Sequence, residues 1–481
     1  MLPAILIILA TLLTFGFWSN RNQTKIIRQH GFYRPPRLPN SCLFGIDRIA
    51  LIFQAAGEGW PMELFLRHFT LWGSTLQHRF LGVEALGTIE PQNLQAILST
   101  NFTHWSMGSR EKVMGPLFGR GIFTQSGPSW KHLREASRAQ LASRRCNECQ
   151  IFEAPIERFL DSLSRTKGPI DIHPKILNLT LDITLSMLFE EDTTNDPVPQ
   201  EFSDAFNDAQ FILAKRLRLQ EFYWIVNGRN LRRSCKIVRE YIDKLVYQRG
   251  TKLDCDPILL RDQIINLLVA GRDTTASLIT WTLFLLVRHP VELKKLQKEL
   301  QESFPDDSRI NRAKLRSCLY LQDVIKEVLR LYPPVPVNSR TAVRDTILPV
   351  GGGPDLSQPI FVSEGTNVAY SIYALHRRPD LYGMDAEIFR PERWAEAPIV
   401  SNETGYGEWG YLPFNGGPRK CLGMDLALTE AAYCIVKILR AFPGIKLPVG
   451  ERVCVVGNEK QSVGLVIFSG DGCRVSLNDE E

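Results

Sequence analysis

Hydrophobic positions are distributed along this chain in two ways. Residues 2–18, LPAILIILATLLTFGFW, form an unbroken run without a charge, at the short end of the ~17–25 residues that span a bilayer. After residue 42 the apolar positions recur mostly with a helical period. The pattern predicts a long, mostly apolar helix over 259–288 that ends before Pro290, a charged amphipathic helix over 291–303, and another over 319–332 stopped by Pro333 and Pro334. Shorter, strand-like alternation bounded by turn residues is found over 341–370, with a GGGP loop at 351–354, and over 462–477. The expected fold class is mainly α with a small β component, in one large domain. The GGGP run is no phosphate loop, because neither Lys-Ser/Thr nor a helix start follows it.

The N-terminal run begins at residue 2, leaving no basic segment ahead of it, and exits through Phe17-Trp18-Ser19-Asn20, which is unlike a small-residue cleavage site. Arg21, Lys25 and Arg28 follow and hold the downstream side in the cytoplasm by the positive-inside rule. Residues 1–19 are therefore expected to be an uncleaved transmembrane anchor. Residues 20–41, with the RPPRLPN stretch at 34–40, are expected to be a basic, proline-rich linker of stiff, extended backbone. Residues 42–481 are then a cytosolic body, whose sequons, like those at Asn22, Asn101, Asn178 and Asn402, never meet the glycosylation machinery.

Composition narrows the classes further. With 44% hydrophobic residues the chain is too apolar to be disordered, and a net charge of +5 over 481 residues gives no argument for nucleic acid. Ten scattered cysteines do not suggest a disulfide scaffold. The one close pair, Cys146 and Cys149, lacks the second pair that a structural zinc needs and reads as coincidence.

Candidate chemistry concentrates in PFNGGPRKCLG, residues 413–423. Its glycines and prolines impose a tight loop around Cys421, just before a helical segment. Glycines let a flat ligand approach, and free N–H groups there would lower a thiol's pKa. One anionic sulfur without other ligands fits an axial haem thiolate; a structural cysteine in a turn fits as well, and the loop by itself leaves both open. Asp273 and Thr274 lie inside the apolar helix, where a polar pair is costly unless used: they could relay protons, or Thr274 could simply bond back to its own helix. Glu327 and Arg330 share a helix face three residues apart.

Taken together these residues resemble the cytochrome P450 monooxygenases. Phe414-x-x-Gly417-x-Arg419-x-Cys421-x-Gly423 is similar to that family's haem-binding loop, Glu327-Val328-Leu329-Arg330 to its Glu-x-x-Arg, and Pro391-Glu392-Arg393-Trp394 to the motif that supplies a second arginine. Ala270-Gly271-Arg272-Asp273-Thr274-Thr275 resembles its oxygen-activating stretch, and Trp130-x-x-x-Arg134 its propionate-binding helix. The resemblance implies the P450 fold and haem b with iron on Cys421. It places Phe414, Gly417 and Gly423 around the haem, and Trp130, Arg134, Arg340 and Arg419 on its propionates. Glu327, Arg330 and Arg393 become a structural triad, and Asp273 and Thr274 the catalytic pair, which favours monooxygenation over rearrangement.

Within the family, AGRDTTASLITW (270–281), RLYPPVPVNSRTAVRDTILPVGGGP (330–354), AYSIYALHRRPDLYGMDAEIFRPERW (369–394) and GYLPFNGGPRKCLG (410–423) resemble the fungal microsomal hydroxylases of n-alkanes and fatty acids, as does GIFTQSGPSWKHLR (121–134) upstream. This implies a lipophilic aliphatic substrate, O2, and a single-pass enzyme of the endoplasmic reticulum membrane. Departures are SRAQL at 137–141, a shortened connection over 247–260, and thin similarity over 101–120 and 205–230, where the family builds its substrate channel. They keep other readings in play: a fungal secondary-metabolite monooxygenase acting on a polyketide or terpenoid, a haem-thiolate isomerase or peroxide-driven catalyst, and a haem-binding protein without turnover. No flavin or nicotinamide fingerprint occurs, so electrons are expected from NADPH–cytochrome P450 reductase, with cytochrome b5 a further candidate donor. Lys131, His132, Arg134, Arg138, Arg144, Arg145 and Lys420 form a candidate basic face for an acidic partner, or merely a solvated helix face.

Overall fold

The computed structural model describes residues 29, 31–42, 45–80, 83–141, 149–189, 198–226, 228–248, 256–305, 309–396, 407–453 and 456–478. The expected anchor and the first part of the linker (20–28) lie outside them, as do Arg144, Arg145, Cys146 and the middle of the 247–260 connection. Among the described residues no helix is long and apolar enough to cross a membrane.

Two short helices open the described body, α1 (Ile46–Glu58) and α2 (Pro61–Trp72), followed by strands β1 (Thr75–Phe80), β2 (Val83–Thr88) and β3 (Trp105–Ser106). Helices α3 (Arg110–Phe118), α4 (Gly127–Leu141), α5 (His173–Phe189), α6 (Gln200–Leu219) and α7 (Gly228–Gln248) lead to the central helix α8 (Pro257–Arg288). Then come α9 (Pro290–Ser303), α10 (Leu319–Leu331), strands β4 (Val337–Ala342), β5 (Thr346–Gly352), β6 (Gln358–Val362) and β7 (Asn367–Ser371), and α11 (Met424–Ala441).

α8 spans the middle because its sequence allows nothing else. Asp256 caps it, its carboxylate accepting from the Ile258 N–H at 3.0 Å, Pro257 suits the first turn, and His289 before Pro290 cannot stay helical. Twenty-one of its 32 residues are buried and only Pro257 and Ile258 are exposed, so the helix has no continuous solvent face. It packs along α5, where Gly271 permits close approach: a Cβ there would lie 2.6 Å from Thr184 Oγ1. α8 serves two cores, one with Trp281, Leu286, Val328 and Val436, the other with Phe118, Phe206, Val238 and Leu268 under α6 and α7.

A third core lies under a five-stranded sheet of order β1-β2-β7-β4-β3. Its pairs are antiparallel except β2 with β7. The expected free spacer at 34–40 is instead docked on this sheet. Gln77 N–H donates to Pro36 O at 2.7 Å and Leu38 N–H to Gln77 O at 2.9 Å, and Leu38 is buried. Proline lacks a donor but keeps its carbonyl, so a proline-rich strand can still pair along one edge.

Candidate active site

The cysteine loop is shaped by contacts that only glycine satisfies. Gly417 has φ +63° and presses on residue 98, where a Cβ would stand 1.8 Å from Leu98 O. The loop closes on itself as Cys421 N–H donates to Phe414 O at 2.9 Å and Lys420 N–H to Gly417 O at 3.0 Å. Phe414 anchors it on the main core. Gly423 precedes α11 and has open space where a Cβ would stand. Cys421 is exposed at the end of this loop. Surrounding protein desolvates its thiol and raises its pKa, against the opposing pull of the Gly423 N–H and of Arg134.

Facing the loop, α4 carries Trp130 and Arg134 one turn apart. Arg134 Nη2 donates to Lys420 O at 2.7 Å, tying the helix to the loop. The buried Trp130 ring has the Arg419 guanidinium 4.2 Å from its centre and that of Arg134 at 5.7 Å. Arg419 also donates to Gln125 O at 2.9 Å. From the sheet, β4 contributes Arg340, buried, its Nη1 donating to Ser339 O at 2.7 Å and to Asn338 Oδ1 at 3.2 Å. Arg110, at the start of α3, reaches the same Asn338 Oδ1 at 2.7 Å.

Among the described residues these four guanidiniums make hydrogen bonds only to carbonyl and amide oxygens. Burial, and then repulsion from Arg340, Arg110 and Arg134, pulls Arg419 down to about 9. Burial with repulsion from Arg340 lowers Arg110 to about 10. Such a group calls for an anion that the described residues do not supply. One thiol in a glycine-shaped loop beside four unneutralised guanidiniums is the donor set that a haem with two propionates requires, so the residues fit the cofactor.

The predicted triad is assembled and fully buried. Glu327 accepts from Arg330 at 2.8 and 2.9 Å, from Arg393 Nε at 3.2 Å, from Trp394 Nε1 at 3.0 Å and from the Arg390 N–H at 3.1 Å. Arg393 is balanced further by Asp385 at 2.9 Å, and Arg330 donates to the carbonyls of His376 and Ala386 at 2.9 and 2.6 Å. His376 connects this network to the cysteine loop. Its Nδ1 meets Arg330 O at 3.1 Å and its Nε2 meets the Leu412 N–H at 2.9 Å. Burial, helped by Arg330, lowers its pKa to about 3. The neutral ring thus donates from Nδ1 and accepts at Nε2.

On α8 the structure separates Asp273 from Thr274. Thr274 lies with Leu267, Ala270 and Gly271 on the one half-exposed stripe of an otherwise buried stretch, and its hydroxyl donates to Ala270 O at 2.7 Å. Asp273 is buried on another face, its Oδ1 held by Arg272 Nη1 at 3.1 Å, with the Gln210 side chain beside the carboxyl. Burial raises its carboxyl above the ordinary value, against the pull of Arg272. Arg272 in turn donates to Asn207 on α6 at 2.8 Å and stacks 5.4 Å from Phe206.

Sequence reasoning overlooked Arg110, His376 and Asn338. Arg110 falls in the 101–120 stretch, where its solvated flanks mark nothing. His376, the residue before Arg377-Arg378, shows its role only through partners 46 and 36 residues away.

Comparison with known proteins agrees with this geometry. The sequence model described as Cytochrome P450 matches residues 49–258 and 257–453. A protein of Arthroderma benhamiae named Cytochrome P450 is 38% identical, covering 95% of this chain and 94% of its own. Cytochrome P450 52A13 of Debaryomyces hansenii is 35% identical over 98% and 97%, and Cytochrome P450 52A4 of Candida maltosa 39% over 76% and 75%. Among solved structures, the cytochrome P450DA heme domain superposes with a TM-score of 0.75 at 20% identity, covering 93% of this chain and 98% of that one. The two matched segments together take in the central helix, the arginine group and the cysteine loop, and the chain belongs to the cytochrome P450 family, the haem-thiolate monooxygenases.

Proposed function

We propose that this chain hydroxylates an aliphatic C–H bond of a long-chain fatty acid or alkane-like substrate, with Cys421 as the thiolate that would hold the haem iron. The observation that carries the reading is Cys421, exposed on its loop in front of four guanidiniums that have no carboxylate partner among the described residues. When bound, the haem supplies the oxidising chemistry with O2 and two electrons. The rest belongs to the chain. Burial raises the Cys421 thiol, while Gly423 N–H and Arg134 pull it the other way, toward the thiolate. Arg110, Arg134, Arg340 and Arg419 hold the propionates and fix the haem's orientation. The stripe of Leu267, Ala270, Gly271 and Thr274 forms the apolar wall facing the substrate, with a single hydroxyl in it. Thr274 Oγ1, which now donates to Ala270 O, is the group that can hand a proton inward; Asp273, turned to another face and held by Arg272, reaches it only after a side-chain rearrangement.

Electrons come from NADPH–cytochrome P450 reductase docking on α4, where Lys131, His132 and Arg138 are exposed beside Arg134 and the loop residue Lys420. Residues 2–18 serve as an anchor that places the body at the endoplasmic reticulum membrane, where such substrates partition; the arrangement is then a 1–19 anchor and a haem domain to residue 481.

The test is the reduced carbon-monoxide difference spectrum of the recombinant protein beside Cys421→Ala. A Soret band strongly red-shifted from that of histidine-ligated haem, lost in the variant, is the expected result; a histidine-like band in the wild type would refute the assignment. With a reductase added, fatty acids and alkanes should then give hydroxylated products that depend on NADPH.

A further inference from the structure

Away from the cysteine loop and the arginine group, the main core buries Trp281, Tyr332 and Tyr373 completely. Trp281 stands seven residues beyond Thr274 on α8, on nearly the same helix face and about 10 Å along the axis. Its ring lies flat on that of Tyr332, with centres 3.8 Å apart and planes 7° from parallel. The Arg377 guanidinium adjoins both tyrosines, 3.5 Å from the ring centre of Tyr373 and 5.6 Å from that of Tyr332. Phenylalanine would fill the same space without burying a hydroxyl, which is costly unless it has a partner. Here both hydroxyls have one. That of Tyr332 is beside the Glu459 carboxylate, and that of Tyr373 accepts from Gln461 Nε2 at 3.1 Å. The same Nε2 donates to Glu459 Oε1 at 2.8 Å. Glu459 opens in turn on a surface pocket of about 370 Å³, which it lines together with Trp60.

We propose that Trp281, Tyr332 and Tyr373 form a redox relay, which supplies electrons to the haem site when hydrogen peroxide is the oxidant and leaves the oxidised end at the pocket beside Glu459. Two tyrosines match the two electrons that peroxide requires. Hydrogen peroxide takes up two electrons and two protons and leaves as two waters. Tyr332 and Tyr373 each lose one electron and the phenolic proton and become neutral phenoxyls. Both electrons pass through the stacked Trp281 ring, which ends as it began. Glu459 acts on both phenols, takes each proton in turn and releases it to the pocket. Burial raises its carboxyl above the ordinary value, so its anion is the stronger proton acceptor. Burial, and then the Glu459 charge, keeps the Tyr332 phenol protonated until the electron leaves. A hydrogen-atom donor in solution, such as ascorbate, restores each phenol from the pocket side. With haem held at Cys421, the relay diverts to replaceable phenols an oxidation that otherwise falls on the haem and its thiolate.

The test is freeze-quenched electron paramagnetic resonance of the full-length, haem-loaded protein mixed with hydrogen peroxide and no substrate, beside the rate at which the Soret band bleaches. Wild type should give a phenoxyl signal that narrows when its tyrosines are deuterated at the β-carbon, and so should Tyr247→Phe, whose ring is exposed. Tyr332→Phe should lose that signal and bleach faster, and ascorbate should slow bleaching in wild type but not in this variant. Trp281→Leu, which removes the stack, should behave alike; where it fails to hold haem, Tyr332→Phe keeps the ring and its packing and decides alone. A wild type without a phenoxyl signal would overturn the relay. So would a Tyr332→Phe variant that keeps the signal or the wild-type bleaching rate, whatever its melting temperature. A histidine-like carbon-monoxide band beside an intact phenoxyl signal would refute the thiolate assignment alone, and a thiolate band without the phenoxyl signal the relay alone.

Discussion

Single side chains in this molecule are tuned more by what surrounds them than by their type. Glu430, on α11 one turn from Cys434, is buried with one carboxyl oxygen unpaired, and burial pushes its pKa from 4.5 to about 8. The folded state therefore binds the proton more tightly than the unfolded state. The contribution favours the fold fully below the ordinary carboxyl range and is lost as pH climbs through about 8. Glu430→Gln, neutral at every pH, should match wild type near pH 4 and exceed it at pH 8 by on the order of 1–3 kcal/mol. Thermal melts across that range check the crossover. Residue types such as this one were readable in the sequence, but a lone Glu in an amphipathic helix gives no sign that it will be buried.

At the scale of elements, close contact between α5 and α8 depends on an absent side chain. Gly271→Ala should cost about 1–3 kcal/mol by overpacking, because the new methyl would meet Thr184 Oγ1 at 2.6 Å and Cγ2 at 3.0 Å. Thr184→Ala should relieve most of that cost, since alanine also favours helix over glycine by about 1 kcal/mol; denaturant melts of the double-mutant cycle measure the coupling. The triad is an element-scale device as well, joining α10 to the segment after β7. Glu327→Gln strips the one carboxylate that Arg330 meets among the described residues, and should cost about 3–5 kcal/mol, as for breaking a buried pair. Because His376 carries the network on to Leu412, the variant should also release haem at lower urea than wild type, read from the Soret absorbance.

For the whole molecule, the expected anchor and the body should be separable. Removing residues 2–18 should shift the protein from the vesicle pellet toward the supernatant in flotation assays and leave its carbon-monoxide Soret band intact. The docked stretch at 34–40, whose Pro36 and Leu38 pair with β1, argues for cutting before residue 33. A cut beyond it would remove an edge pairing from the sheet and should lower the melting temperature.

The sequence by itself determined the periodic elements and the local chemistry. The central helix expected over 259–288 spans Pro257–Arg288, and the helices at 291–303 and 319–332 begin at Pro290 and Leu319. Proline and the capping Asp256 act within a few residues and need no tertiary partner. The cysteine loop was legible for the same reason, its glycines and its thiol being neighbours in the chain. Tertiary structure alone decided what required two distant segments. It brought Arg110 to Arg340 through a shared Asn338, coupled the triad to the loop through His376, and turned a proline-rich spacer into an edge strand. It also divided Asp273 from Thr274: adjacent residues on a helix point about 100° apart, and which of the two faced a neighbouring helix rested on packing that no single segment records.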